Sequence, residues 1–88
     1  MTINNYRQQI EAIDKSLLLL VKNRQEAAKQ IGILKKKNNV PIYDTDREVR
    51  LIKDNASFSE SLGMGKELAE DITKVLMFHS KLLQEKVK

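Results

Sequence analysis

A chain of 88 residues, 41% hydrophobic and 32% charged, is enough for one small core and too short for two, so residues 1–88 are expected to form a single domain. With no Cys, no Trp and one His, it cannot supply a thiol nucleophile, a disulfide frame, a Cys/His zinc site or a paired-histidine acid–base device, and no metal site is expected. Sixteen Lys and Arg against twelve Asp and Glu leave a net charge of +4, which favours an anionic partner without separating polymer, membrane and small acid.

Between Ile3 and Asn38 there is neither Pro nor a turn cluster. The apolar residues Ile3, Ile10, Leu17 and Ile31, with Tyr6, Ile13, Leu20, Ala27 and Leu34, are spaced in alternating steps of three and four, which predicts one long helix. The cluster Asn38-Asn39-Val40-Pro41 ends it. Asp44 and Thr45 offer N-caps for a second, shorter helix from about Asp46 to about Asn55. Ser57 to Gly65, with three Ser and two Gly, reads as a loop. Leu68, Ile72, Val75, His79 and Leu82 or Leu83 then mark a third helix reaching almost to the C-terminus. No stretch alternates as a strand does, so the expected class is all-α: three helices, long, short and long. The N-terminus is polar and the longest apolar run, Leu17 to Val21, is too short for a signal or a membrane span. A soluble cytoplasmic protein with no membrane partner is expected.

A first helix of about 36 residues would be about 54 Å long, while a compact chain of this size has a radius of gyration of about 12 Å. The helix must overhang its own fold. Its apolar seam runs the full length, so the free half needs a cover, and a second copy in an intertwined homodimer is the economical one.

The seam from Ile3 through Ile10 and Leu17 to Ile31 is broken at Arg24. Such a charge is either a register-setting or snorkelling group, or a buried site for an anion that guanidinium grips through two parallel hydrogen bonds. Lys35 follows eleven residues later, almost three whole turns, so it leaves the helix on nearly the same side. Lys36 and Lys37 read as a solvated basic helix end. Arg7 shares the flank of Lys35 but lies about 42 Å away along the axis. One helix cannot bring both to one ligand, whereas an antiparallel copy would carry its Arg7 alongside Arg24; an exposed Arg near a helix start is the plainer alternative. Thr45 and Glu48 have capping-box spacing, and the same segment puts Asp44, Arg47 and Glu48 where a second helix folds back over the first. Ser80 and Gln84, four apart, share a face and offer uncharged donors, or simply polar surface. His79 has no second ligand to pair with and reads as packing or rim. Gly32 costs about 1 kcal/mol relative to Ala inside a helix, which points to close approach of another backbone.

Arg7, Arg24, Lys35, Asp44, Arg47, Glu48, Ser80 and Gln84 on this helical frame resemble the all-helical chorismate mutases. So do the runs Ile10-Glu11-Ala12-Ile13-Asp14, Leu17 to Leu20, Asn23-Arg24, Ile31-Gly32 and Pro41-Ile42-Tyr43-Asp44-Thr45-Asp46-Arg47-Glu48. The resemblance implies rearrangement of chorismate to prephenate in an intertwined dimer, with no cofactor. It implies Lys35 and Gln84 as the catalytic pair at the ether oxygen. Arg24, with Arg7 of the second copy and Ser80, would hold the carboxylates. Glu48 and Asp44 would take the ring hydroxyl, and Arg47 would brace the wall. Two other readings remain: an isochorismate pyruvate lyase, with a similar fold and cationic pocket, and a non-catalytic helical module binding an anionic partner such as nucleic acid through its lysines. The pocket accounts for three of the four Arg, which speaks against nucleic acid.

Overall fold

The computed structural model describes residues 1–87, which form three α-helices: α1 (Ile3–Lys37), α2 (Thr45–Ser61) and α3 (Lys66–Glu85). No strand occurs among the described residues, so the all-α class holds. α1 opens on a capping box in which the Thr2 hydroxyl accepts from the Asn5 N–H at 3.2 Å and the Asn5 side chain accepts from the Thr2 N–H at 3.0 Å. It closes where Asn39 takes a left-handed φ of 54°, with the Val40 N–H returning to Lys35 O and the Asn39 N–H to Lys36 O. Asn is one of the few side chains that enters this region cheaply, and Pro41 follows to prevent continuation.

α2 differs from the expected boundary. It does not stop near Asn55 but runs to Ser61, and the expected Ser57-to-Gly65 loop shrinks to residues 62–65. Its N-cap is Asp44, whose carboxylate accepts from the Arg47 N–H at 3.1 Å, so Thr45 is already helical and does not cap. The serines are absorbed rather than disruptive. Ser59 is buried against α3 and its hydroxyl donates to Gly65 O at 2.8 Å, satisfying it inside the helix–turn junction. Just past the helix end, Gly63 takes a φ of 80°, with its N–H on Glu60 O and the Met64 N–H on Ser59 O. At 17 residues against 20 in α3, the middle helix is only slightly the shorter.

α3 packs against both other helices, which do not pack directly on each other among the described residues. Small side chains permit this: Ala28 and Gly32 of α1 and Ala56 and Ser59 of α2 are buried, as are Thr73, Met77 and Ser80 of α3. A Cβ built on Gly32 would stand 2.9 Å from Gln84 Cα, so α1 and α3 touch backbone to backbone at this level. Asn55 Nδ2 donates to Thr73 Oγ1 at 3.0 Å across the α2–α3 seam.

One chain alone has almost no core. Among the described residues the buried hydrophobic ones are Ala28, Ala56 and Met77, and no large side chain is fully buried. The N-terminal half of α1 projects freely, with Ile10 57% and Leu20 64% exposed. The radius of gyration is 16.1 Å and the longest extent 55 Å, the length of α1 itself. No helix is long and apolar enough to cross a membrane among the described residues.

Candidate active site

Where α1 and α3 approach at Gly32, the chain entering α2 folds over them and encloses a cavity of about 280 Å³. Seven of the eight candidate residues line it: Arg24 and Lys35 from α1, Asp44, Arg47 and Glu48 from the start of α2, Ser80 and Gln84 from α3. The apolar part of the wall comes from Ala27, Ala28, Ile31, Ile42 and Met77. Arg7 is not there. It lies exposed on the projecting half of α1, seventeen residues before Arg24 and so about 26 Å along the axis.

Arg24 is held from α3. Its Nη1 donates to the Ser80 hydroxyl and, at 3.2 Å, to Leu76 O, while Ser80 donates to the same carbonyl at 2.9 Å. Loss of water, and to a lesser degree the charge of Arg47, lower the Arg24 pKa from its ordinary value. Guanidinium stays protonated in proteins at neutral pH, so the residue remains a fixed cation. Two positive groups share this wall, an arrangement that is relieved when an anion enters between them.

Lys35 leaves α1 toward the connection to α2, and its Nζ donates to Ile42 O at 2.8 Å. That bond uses one of three ammonium donors and fixes the head at the cavity edge. Gln84 sits opposite, beside the Gly32 contact, and its Oε1 is buried with no hydrogen-bond partner. A buried polar atom without a partner costs free energy, and Gln84 is one of the residues that line the cavity. Glu48 pairs with Lys81, Nζ to Oε1 at 2.9 Å.

Lys81 is the wall residue that sequence reasoning passed over. It falls four residues after Met77 and three before Gln84, a spacing that places all three on one face of α3. Among the other polar and ionisable positions of α3, nothing in the sequence alone singles it out. The cavity therefore presents four cations, Arg24, Lys35, Arg47 and Lys81, against two carboxylates, Asp44 and Glu48, a surplus of two positive charges. No cluster of His, Asp or Glu fit to hold a metal ion occurs among the described residues.

Residues 6–85 match the family model described as chorismate mutase type II. The chain belongs to that family. A T-protein of Enterobacter agglomerans is 34% identical over 74 residues, covering 84% of this chain and 20% of that protein. A bifunctional chorismate mutase/prephenate dehydratase of Buchnera aphidicola is 31% identical over 98% of this chain and 24% of its own length. A chorismate mutase of Methanocaldococcus jannaschii is 27% identical, over 90% of this chain and 80% of its own. The chain thus spans about a fifth to a quarter of the length of the longer relatives. As a chorismate mutase family domain, it has its cationic cavity between α1, the start of α2 and α3, with every lining residue inside the matched region.

Proposed function

We propose that residues 1–88 form one chorismate mutase domain that rearranges chorismate to prephenate, and that two copies assemble to complete each site. The observation that carries the reading is the cavity's surplus of two positive charges, fixed on rigid helices and matched to a dicarboxylate. The reaction is an intramolecular shift: the ether C–O bond breaks as a C–C bond forms, with no net proton transfer. It needs neither nucleophile nor cofactor, which suits a chain this poor in reactive side chains. What it needs is a folded substrate and compensation for charge developing on the ether oxygen.

Arg24, steadied by Ser80, grips one carboxylate. Lys35 aims its remaining donors at the ether oxygen, and the Gln84 amide turns its NH₂ toward the same atom. Both interactions strengthen as the C–O bond lengthens, so they lower the barrier rather than merely bind. Glu48, with Asp44 near it, accepts the ring hydroxyl, and Arg47 braces the mouth.

The second carboxylate is left for Arg7 of the partner copy. An antiparallel α1 pair that sets Arg7 opposite Arg24 crosses near Lys15 and Ser16, and so covers the exposed seam at Ile10, Ile13, Leu17 and Leu20. One arrangement serves both the missing core and the missing cation.

The test is loss of chorismate absorbance with formation of prephenate, run with wild type and Lys35→Ala, and with isochorismate supplied separately. Wild type is expected to consume chorismate and to release no pyruvate from isochorismate. Lys35→Ala is expected to lower kcat by about 10²- to 10³-fold, the usual cost of removing one preorganised donor. Inertness toward chorismate, or pyruvate release from isochorismate alone, would overturn the reading.

A further inference from the structure

The reading above leaves one wall cation without a task. Lys81 lies on α3 directly after Ser80, and its Nζ stands 2.9 Å from Glu48 Oε1, the two side chains being only 27% and 25% exposed. The same ammonium sits 5.0 Å from the centre of the Tyr43 ring. The Tyr43 hydroxyl in turn donates to Glu85 Oε1 at 2.9 Å, a bond that, with the charge of Glu85, raises the phenol pKa above its ordinary value. Lys81 is thus held by groups from two other segments: the first turn of α2 and the connection before it.

Glu48 needs such a partner. It shares the cavity with Arg24, Lys35 and Arg47, and a carboxylate free to swing would be drawn to one of them, neutralising a cation meant for the ligand. The pair with Lys81 engages Oε1 at the wall and leaves the second carboxylate oxygen as an acceptor.

We propose that Lys81 is a positioning residue that parks Glu48 at the cavity wall, so that its carboxylate takes a ligand hydroxyl and stays off the carboxylate-binding cations. The inference rests on the chorismate reading of the site and adds to it a determinant of hydroxyl recognition. No bond to the ring hydroxyl forms or breaks in the rearrangement, so the hydroxyl is held nearly alike in ground and transition states and the effect belongs in KM rather than kcat.

The experiment is a double-mutant cycle on chorismate turnover with wild type, Lys81→Met, Glu48→Gln and the double variant, plus Lys81→Arg. Lys81→Met is expected to raise KM about tenfold with kcat within about threefold of wild type, and to change KM less than about twofold once Glu48 is Gln. Lys81→Arg is expected to restore most of the loss, as a role through charge requires. Circular dichroism checks each fold, and Lys81→Gln reads the same coupling if the Met variant loses its helical signal. Independent, additive losses would assign Lys81 to the substrate itself, and unaltered KM would make the pair ordinary surface; either overturns the proposal. Wild type inert toward chorismate would instead overturn the functional reading, and the role of Lys81 with it.

Discussion

Gln84 shows how far one side chain's chemistry decides the working range of the site. An amide donates a hydrogen bond at any ordinary pH, whereas a carboxyl at that position donates only while protonated. In Gln84→Glu, activity should therefore be present below the new group's pKa and fall about tenfold per pH unit above it. Nearby Lys35 favours the ionised form and sets that limb on the acid side. Profiles of kcat/KM from acid to neutral pH for wild type and variant check this; a variant profile parallel to that of wild type would remove Gln84 from the ether oxygen. Arg24 was legible in the sequence because it breaks the apolar seam of α1, and Lys35 because its spacing puts it on nearly the same side; Ser80 and Gln84 read only as a polar pair four apart, and the family resemblance singled them out. Lys81 was not, because a helix lysine gains meaning only from what it meets. Its partners Glu48 and Tyr43 lie on other segments, and their approach depends on tertiary packing.

At the scale of the element, the packing of α1 on α3 sets the site, and Gly32 sets that packing. Ala at this position gains about 1 kcal/mol of helix propensity. It also drives a Cβ to 2.9 Å from the Gln84 backbone, which has no flexible tip to yield. Overpacking of this kind costs about 1–3 kcal/mol, so Gly32→Ala should lower Tm by several degrees and weaken kcat by displacing Gln84. A Tm at or above that of wild type would show that α1 and α3 separate freely. The close approach itself was readable from a glycine inside an otherwise strong helix. The extent of α2 was not. Ser57, Ser59 and Ser61 have the composition of a loop, yet Ser59 finds a carbonyl partner in the turn and Ala56 finds α3, so tertiary contacts override local preference. The one local sign of the true end is Gly63, the residue that admits the left-handed stop.

At the scale of the whole molecule, the described residues form a body 55 Å long that buries only Ala28, Ala56 and Met77 as hydrophobic core, and the proposed second copy would cover the rest. The sequence announced the overhang through a seam longer than the fold it serves, and the structure places Arg7 on the free end, out of reach of its own cavity. The central claim is that each cavity is completed by the other copy, and mixing two inactive variants tests it most directly. Arg7→Ala damages the site it is lent to, Lys35→Ala the site in its own chain, so a mixed dimer carries both lesions in one cavity and none in the other. Equal amounts, unfolded and refolded together, should recover about a quarter of wild-type activity, since half the dimers are mixed and one of their two sites is intact. Recovery no greater than the average of the two variants alone would mean that Arg7 and Lys35 never serve the same substrate across a shared interface.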